Sequence, residues 1–147
     1  RLANEVARSK RSGEPFAVLF VDLDNFKQVN DRHGHEAANV VLKGVAEELM
    51  AVVRATDLAA RYGGDEFVVL LVRSGADGAR VVAERARARV EALGRRLGYP
   101  AKLVTASIGV AGFEPSDNGA ADVLVAADRA LYRAKTAGRN QVAIGES

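Results

Sequence analysis

Two short apolar runs limit what this chain can fold into. Residues 16–21 and 67–72 contain only apolar side chains, and each run begins with phenylalanine and ends with valine. Both runs are far shorter than the ~20 apolar residues that a membrane-spanning helix needs. Their length and their content of branched and aromatic side chains instead predict buried strands.

Apolar residues at three- and four-residue spacing predict amphipathic helices between and after these strands. We expect helices over about 36–53, over about 79–93 with Ser74 as a candidate N-cap, and over about 123–134. The end of a further helix is expected just before residues 12–13, where Ser-Gly interrupts the helical spacing.

The other short apolar segments predict further strands. Residues 58–62 and 67–71 flank a Gly-Gly pair, which is typical of a β-hairpin, and residues 103–111 and 142–144 predict two more strands. The chain order then predicts an α/β (α+β) fold, in which one mixed central sheet of about five strands is covered by helices. The length of 147 residues predicts a single domain over 1–147.

The composition argues against several classes of function. The chain has 21 basic and 19 acidic residues without a long block of one sign, which argues against bulk binding to nucleic acid. It contains no cysteine, so any bound metal is expected to be a hard ion held by oxygen. No stretch has the pattern of a secretory signal or a membrane span. We therefore expect a cytoplasmic domain without membrane contact.

Carboxylates occur in two clusters at the ends of the predicted strands. Asp22 and Asp24 follow the first apolar run, and Asp65 and Glu66 lie at the hairpin turn. If the first strand lies beside the hairpin, the two clusters converge and repel each other unless a cation neutralises them. A magnesium ion that bridges them to a nucleotide triphosphate satisfies this condition. The alternative is that each acid simply ends a strand or fills a turn.

The sequence around the hairpin resembles a known family. Residues 61–67 read Arg-Tyr-Gly-Gly-Asp-Glu-Phe and resemble the signature of the GGDEF family of diguanylate cyclases. Further segments resemble other motifs of the family in the same order and extend the resemblance over nearly the whole chain: 22–31, 34–35, 105–110, 127–135 and 138–140. The resemblance implies a fold similar to the nucleotidyl cyclases and the polymerase palm. It also implies that two GTP molecules are condensed into cyclic di-GMP and two pyrophosphates.

The resemblance also implies roles at the metal and triphosphate positions. Asp22, the backbone carbonyl of Leu23 and Asp65 correspond to ligands of magnesium, with manganese as an alternative ion. Glu66 is implied to act with Asp65 in catalysis, by assisting deprotonation of the attacking 3′-hydroxyl or by holding a second metal. The implied triphosphate-binding residues are Asn25, Phe26, Lys27, Lys135 and Arg139. For the last two, a cation that merely favours the C-terminal end of a helix is the alternative.

The base-reading positions contain a departure from the family. Asn30, His35 and Asn39 correspond to residues on the guanine side. The family reads Gly-His-x-x-Gly-Asp where residues 34–39 read Gly-His-Glu-Ala-Ala-Asn. Asn39 therefore replaces the aspartate that reads the base, which predicts weaker GTP binding or a reduced preference for guanine.

A product-inhibition motif of the family also has a counterpart. Arg54 and Asp57 form an Arg-x-x-Asp sequence that begins nine residues before the paired glycines, and Arg85 matches the position that completes the site. Guanidinium groups stack on guanine and donate to it, so these residues are expected to bind cyclic di-GMP. A solvent-facing Arg54 at the end of a helix is the alternative.

The resemblance further implies partners and leaves several functions open. Each domain is expected to hold one GTP, so catalysis requires a two-fold homodimer. Most of the family's N-terminal entry motif would precede residue 1, so we expect a longer natural protein with an N-terminal sensory or receiver domain. The candidates are an active cyclase, a catalytically weak or inactive receptor for cyclic di-GMP, a cyclase with relaxed purine specificity, and a structural dimerisation domain.

Overall fold

Helices and strands follow one another in the predicted order. The structure is a computed structural model that describes residues 2–117 and 119–145. Its elements are α1 (Leu2–Ser12), β1 (Phe16–Asp24), α2 (Phe26–Val52), β2 (Leu58–Arg61), β3 (Glu66–Val72), α3 (Ala76–Arg96), β4 (Thr105–Phe113), α4 (Ala120–Thr136) and β5 (Val142–Ile144).

The strands form one mixed sheet with the order β2-β3-β1-β4-β5, which confirms the predicted fold class. β1 pairs antiparallel with β3 on one side and with β4 on the other, while β5 pairs parallel with β4. The first strand therefore lies beside the hairpin formed by β2 and β3. This adjacency was the condition for the two acidic clusters to meet.

Alternate residues of β1 pack into two separate hydrophobic layers. The odd-numbered residues Ala17, Leu19 and Val21 belong to the core that contains residues of α2 and α3. The even-numbered residues Phe16 and Val18 belong to a second core with residues of α4, against which side chains of α1 also pack. Because successive side chains of a strand point to opposite faces, both faces of the sheet are covered by helices.

The helix boundaries differ from the sequence prediction in two places. α2 begins at Phe26 rather than near residue 36, and it is broken at Gly34, which has φ 88° and ψ 170°. The apolar periodicity begins again after this break, so the sequence indicated only the second segment. Ser74 is not the N-cap of α3, because that position is occupied by Gly75. The Ser74 hydroxyl instead donates to the carbonyl oxygen of Val72.

Within residues 2–117 and 119–145, no helix combines the length and the apolar character that crossing a membrane requires.

The contact between α4 and β4 requires a residue without a side chain. A Cβ atom added to Gly109 of β4 would overlap the carbonyl oxygen of Ala127 and the amide nitrogen of Leu131. Gly78 is a suitable control because it lies exposed in α3 and has no atom within 4 Å of an added Cβ.

We expect Gly109→Ala to lower the free energy of unfolding by about 3 kcal/mol, because α4 must move away from the sheet. Gly78→Ala should raise it by roughly 0.5–1 kcal/mol, because alanine costs less conformational entropy in a helix. Urea unfolding of both variants measures the difference. Wild-type stability of Gly109→Ala would contradict the close packing of α4 on β4.

Candidate functional site

The two acidic clusters lie together at one edge of the sheet. Asp22, near the end of β1, is the register partner of Glu66 at the start of β3. The N–H of Leu23 donates to the carbonyl oxygen of Asp65 at 3.1 Å, which extends this pairing into the hairpin turn. The structure therefore brings together the four residues that were predicted to hold a metal, namely Asp22, Leu23, Asp65 and Glu66.

The hairpin turn is held by its own backbone and by one arginine. The N–H groups of Tyr62 and Gly63 donate to the carbonyl oxygen of Glu66 at 2.8 and 3.2 Å. The guanidinium of Arg61 donates to the carbonyl oxygens of Gly63 and Gly64 at 3.0 and 2.8 Å. Arg61 has no role of its own among the predictions made from the sequence. The position of Arg61 directly before the turn could have indicated this role, because its side chain can reach the turn carbonyls from there.

The two glycines of the turn meet different requirements. A Cβ atom added to Gly63 would lie 2.9 Å from Oε1 of Glu66, whereas an added Cβ on Gly64 meets no atom within 4 Å. Gly63 therefore allows the Glu66 carboxylate to lie against the turn. The space beside Gly64 is open to an approaching ligand.

A lysine from α4 extends into the acidic edge. Nζ of Lys135 lies 2.8 Å from Oδ1 of Asp24 and 3.5 Å from Oδ1 of Asp22. It also donates to the carbonyl oxygen of Leu23 at 3.4 Å. Asp22 and Asp24 share one face of β1, and α4 covers that face, so one cation reaches both side chains. The lysine contacts two of the oxygen-bearing groups that were predicted to bind a metal.

Asp24 does not face a ligand, in contrast to the expectation for acids at a strand end. It is buried, and its carboxylate accepts hydrogen bonds from the hydroxyls of Thr105 and Ser107 at 2.8 and 2.7 Å. It also accepts from Lys135 and from the backbone N–H of Asn140, at 2.8 and 3.0 Å. Burial by itself raises the pKa of Asp24, but the bonds from Lys135, Ser107 and Thr105 outweigh burial and hold the pKa below its usual value.

Asp22 has the opposite titration behaviour. Burial raises the pKa of Asp22 to about 6; the positive charge of Lys135 opposes this shift, and the charges of Asp65 and Glu66 add to it. The carboxylates of Asp22, Asp24, Asp65 and Glu66 lie near a single lysine at this edge, so a further cation would stabilise the ionised form of Asp22.

The donor set fits a magnesium ion that shares its ligands with a substrate. It consists only of oxygens, namely the carboxylates of Asp22, Asp65 and Glu66 and the carbonyl of Leu23. In the described part of the chain, no three or more His, Cys, Asp or Glu side chains are grouped so that they could hold a metal by themselves. Magnesium is commonly bound by one or two carboxylates, with waters and substrate phosphates as the other ligands, so an incomplete protein cage agrees with its chemistry.

The candidate triphosphate residues surround the start of α2 and the end of α4. Asn25 precedes α2 in a left-handed conformation with φ 61°, and its side chain donates to the carbonyl oxygen of Leu103 at 3.3 Å. Phe26 begins the helix and Lys27 is exposed beside it. The first N–H groups of a helix have no acceptor within the helix, which suits this end for an anion. Arg139 is exposed in the turn after α4.

A cavity of about 360 Å³ lies between α2 and the hairpin. Its polar lining residues are Asn39, Lys43 and Arg61, and its apolar lining residues are Leu42, Ala46, Leu49, Met50, Ala59, Ala60 and Phe67. Asn30 and His35 do not line it, so only one of the three predicted base-side residues does. Lys43 was missed, although its position four residues after Asn39 places both side chains on one face of the helix.

Two of the predicted product-inhibition residues, Arg54 and Asp57, are bonded to each other. Arg54 donates to both carboxylate oxygens of Asp57 at 3.1 and 3.3 Å, and Asp57 also accepts from the N–H of Val72 at 3.0 Å. The Asp57 side chain is 1% exposed, whereas that of Arg54 is 55% exposed. Asp57 thus fixes the arginine and the end of β3. Arg85 lies exposed on α3, outside this cluster.

Known proteins share both the sequence and the architecture of this chain. Residues 1–141 match the family model described as diguanylate cyclase, GGDEF domain. Diguanylate cyclase DgcP of Pseudomonas aeruginosa is 42% identical over 144 residues, which make up 98% of this chain and 21% of DgcP. The chain therefore spans about a fifth of the length of this curated relative.

Two solved structures have the same fold. The active GGEEF domain of a diguanylate cyclase from Vibrio cholerae superimposes with a TM-score of 0.88 at 30% identity, over 99% of this chain and 92% of that one. The GGDEF domain of DgcB from Caulobacter crescentus, solved in complex with c-di-GMP, gives a TM-score of 0.87 at 34% identity. That comparison covers 99% of this chain and 86% of the other.

Proposed function

This chain belongs to the GGDEF family of diguanylate cyclase domains, and we propose that it condenses two GTP molecules into cyclic di-GMP and two pyrophosphates. The observation that carries the proposal is the convergence of Asp22, Asp65 and Glu66 beside the Leu23 carbonyl, with Lys135 extending into the same edge. This arrangement places anionic ligands for a divalent cation next to cations for a triphosphate.

The proposed reaction is an in-line attack of a 3′-hydroxyl on an α-phosphorus, from which pyrophosphate leaves. When bound, magnesium or manganese supplies Lewis-acid stabilisation of the negative charge that develops on the phosphoryl oxygens. Asp22, Asp65 and the carbonyl of Leu23 would hold that ion. Glu66 lies beside them, where it can accept the proton of the attacking hydroxyl.

Cationic and dipolar groups would hold the leaving pyrophosphate. Lys135 lies within the acidic edge, and Arg139 is exposed in the turn that follows α4. The start of α2 at Phe26 adds unpaired backbone N–H groups, and Lys27 is exposed there. Charge-assisted hydrogen bonds of these kinds are stronger than neutral ones, so they would stabilise the negative charge that develops on the leaving pyrophosphate.

Two copies of the domain are proposed to act together. The described residues offer one acidic edge for a metal and one cavity lined by Asn39, whereas the reaction joins two nucleotides. A two-fold dimer would place each bound nucleotide opposite the other, so that each hydroxyl attacks the partner's phosphate. An N-terminal sensory or receiver domain that controls this meeting is part of the proposal for the natural protein.

Product inhibition is proposed to use Arg54 and Arg85. The Arg54 guanidinium is half-exposed and is held in place by Asp57, whose two oxygens are already engaged. Arg54 is thereby presented as a rigid planar donor that can stack on guanine or donate to it. Asp57 would position the arginine, while the base would be read by Arg54 and by the exposed Arg85.

Removal of an acidic ligand should abolish product formation. We expect Asp65→Ala to lower kcat about a thousandfold or more, because a bound metal contributes several kcal/mol to the transition state. Product formation from GTP and magnesium is followed by mass spectrometry, and circular dichroism verifies folding. Asp31→Ala, an exposed acid on α2, is the matched control. Wild-type turnover in Asp65→Ala would exclude this residue from the metal site.

Loss of an exposed arginine should weaken product binding but not substrate binding. Arg85→Ala is preferred to Arg54→Ala, because Arg54 also neutralises the buried Asp57. We expect cyclic di-GMP affinity to fall at least about tenfold in Arg85→Ala, while GTP affinity stays unchanged. Calorimetry measures both, and Arg11→Ala on α1 controls for the loss of one positive charge. Unchanged cyclic di-GMP affinity would show that Arg85 is only a surface residue.

The position of Asn39 in the lining of the cavity between α2 and the hairpin supports a weakened preference for guanine. Guanine presents two adjacent donors, and a carboxylate accepts from both, whereas the amide of Asn39 offers one acceptor and one donor. An unpaired donor costs about 1–3 kcal/mol, or roughly 10- to 100-fold in discrimination. Adenine presents a donor beside an acceptor, which an amide can match. Asn39 lines the cavity together with Lys43, whose ammonium group can donate to either base.

We therefore expect Asn39→Asp to raise the ratio of kcat/KM for GTP over ATP by roughly 10- to 100-fold. The comparison requires steady-state kinetics with each nucleotide in the wild type and the variant, after gel filtration has shown equal oligomeric states. Asn4→Asp is the control, because it makes the same amide-to-carboxylate change at an exposed position of α1. A wild type that already prefers GTP strongly, with no gain in Asn39→Asp, would contradict a base-reading role for residue 39.

A further inference from the structure

The turn between α4 and β5 has an unusual backbone that must be held by contacts. Three successive residues have positive φ, namely Gly138 at 128°, Arg139 at 66° and Asn140 at 46°. Residues other than glycine adopt such angles uncommonly, and a run of them persists only where the surroundings favour it. Gly138 lies three residues after Lys135. The turn also carries Arg139, so its geometry affects where two candidate triphosphate cations lie.

Asn140 uses both its backbone and its side chain to hold this turn. Its N–H donates to Oδ2 of Asp24 at 3.0 Å. Its side-chain oxygen accepts from Nη1 of Arg87 at 2.9 Å, and its side-chain nitrogen donates to Oε2 of Glu91 at 2.9 Å. Arg87 and Glu91 both belong to α3, where Nη1 of Arg87 lies 3.6 Å from Oε1 of Glu91. Asn140 therefore links a partly buried ion pair on α3 to the buried carboxylate at the end of β1.

The contacts continue from Asp24 into the candidate active site. The second carboxylate oxygen of Asp24, Oδ1, accepts from Lys135 at 2.8 Å. The same ammonium group lies 3.5 Å from Asp22 and donates to the carbonyl oxygen of Leu23. One continuous series of polar contacts thus runs from α3 through Asn140 and Asp24 to the lysine at the metal and phosphate edge.

We propose that Asn140 is a positioning residue, which fixes the turn after α4 between α3 and Asp24 and thereby sets Lys135 and Arg139 for the triphosphate. The proposal rests on the proposed function in taking GTP as the ligand. Its consequence is specific: the loss of the Asn140 side chain should weaken contacts to the β- and γ-phosphates and leave contacts to the nucleoside unchanged.

Two substitutions of Asn140 separate the role of its side chain from the role of its backbone N–H. Asn140→Gly keeps the N–H that bonds to Asp24 and tolerates positive φ, but it removes both contacts to α3. Asn140→Asp keeps an acceptor for Arg87 and places a carboxylate oxygen against Glu91, where the two anions repel. Glu91→Gln in the Asn140→Asp background restores a donor at that contact, while Glu91→Gln alone is the matched control.

The measurement is the affinity of each protein for GTP and for GMP in the presence of magnesium, obtained by calorimetry. Both Asn140→Gly and Asn140→Asp should weaken GTP binding roughly 10- to 100-fold, by analogy with the loss of metal affinity when residues that orient metal ligands are removed. GMP affinity should remain within about twofold of the wild type, and the double variant should recover GTP affinity to within about twofold. Urea unfolding verifies that every variant is folded at the assay temperature.

Several outcomes would overturn the proposal. Unchanged GTP affinity in both variants would show that the turn does not set the phosphate contacts. Equal losses for GTP and GMP, or no recovery in the double variant, would indicate a general structural effect. A wild type that binds GTP no more tightly than GMP would leave no triphosphate contact to be positioned. By contrast, a wild type that prefers GTP but forms no cyclic dinucleotide contradicts the proposed catalysis, while the variants still test Asn140.

Discussion

The burial of the Asp24 carboxylate is the constraint on which the rest of the site depends. A buried charge is stable only when partners in the protein replace the water that it loses. Asp24 obtains these partners from Thr105 and Ser107 of β4, from Lys135 of α4 and from the N–H of Asn140. One carboxylate therefore fixes two strands, the end of a helix and the following turn relative to one another.

This buried anion also determines the charge balance at the neighbouring edge. Lys135 is shared between Asp24 and Asp22, so it neutralises Asp22 only in part, and burial together with Asp65 and Glu66 raises the pKa of Asp22 to about 6. An edge with excess negative charge next to a fixed ammonium group can accept a divalent cation and a phosphate together. The same structural anchor thus prepares both kinds of contact that the proposed reaction needs.

In the proposed function, two segments of one helix bind the two ends of a nucleotide. The first segment of α2 begins at Phe26, directly after the proposed metal ligands, and the second carries Asn39 into the cavity against β2. Gly34 separates these segments, because its φ of 88° interrupts the helix and changes its direction. On this proposal, the departure from the family at Asn39 would alter base recognition and leave the metal edge unchanged.

The sequence by itself determined the order of elements, the mixed sheet and the identity of the acidic clusters, because hydrophobic periodicity and the motif of residues 61–67 are local signals. The residue types alone did not distinguish Asp22 from Asp24, which look equivalent as acids on one face of a strand end, and only the family resemblance assigned the metal to Asp22. The sequence also contained no indication that Asn140 joins α3 to Asp24, or that both oxygens of Asp57 are engaged. Only the tertiary structure decided these points, since the burial and the hydrogen-bond partners of a polar side chain depend on elements far away in the chain.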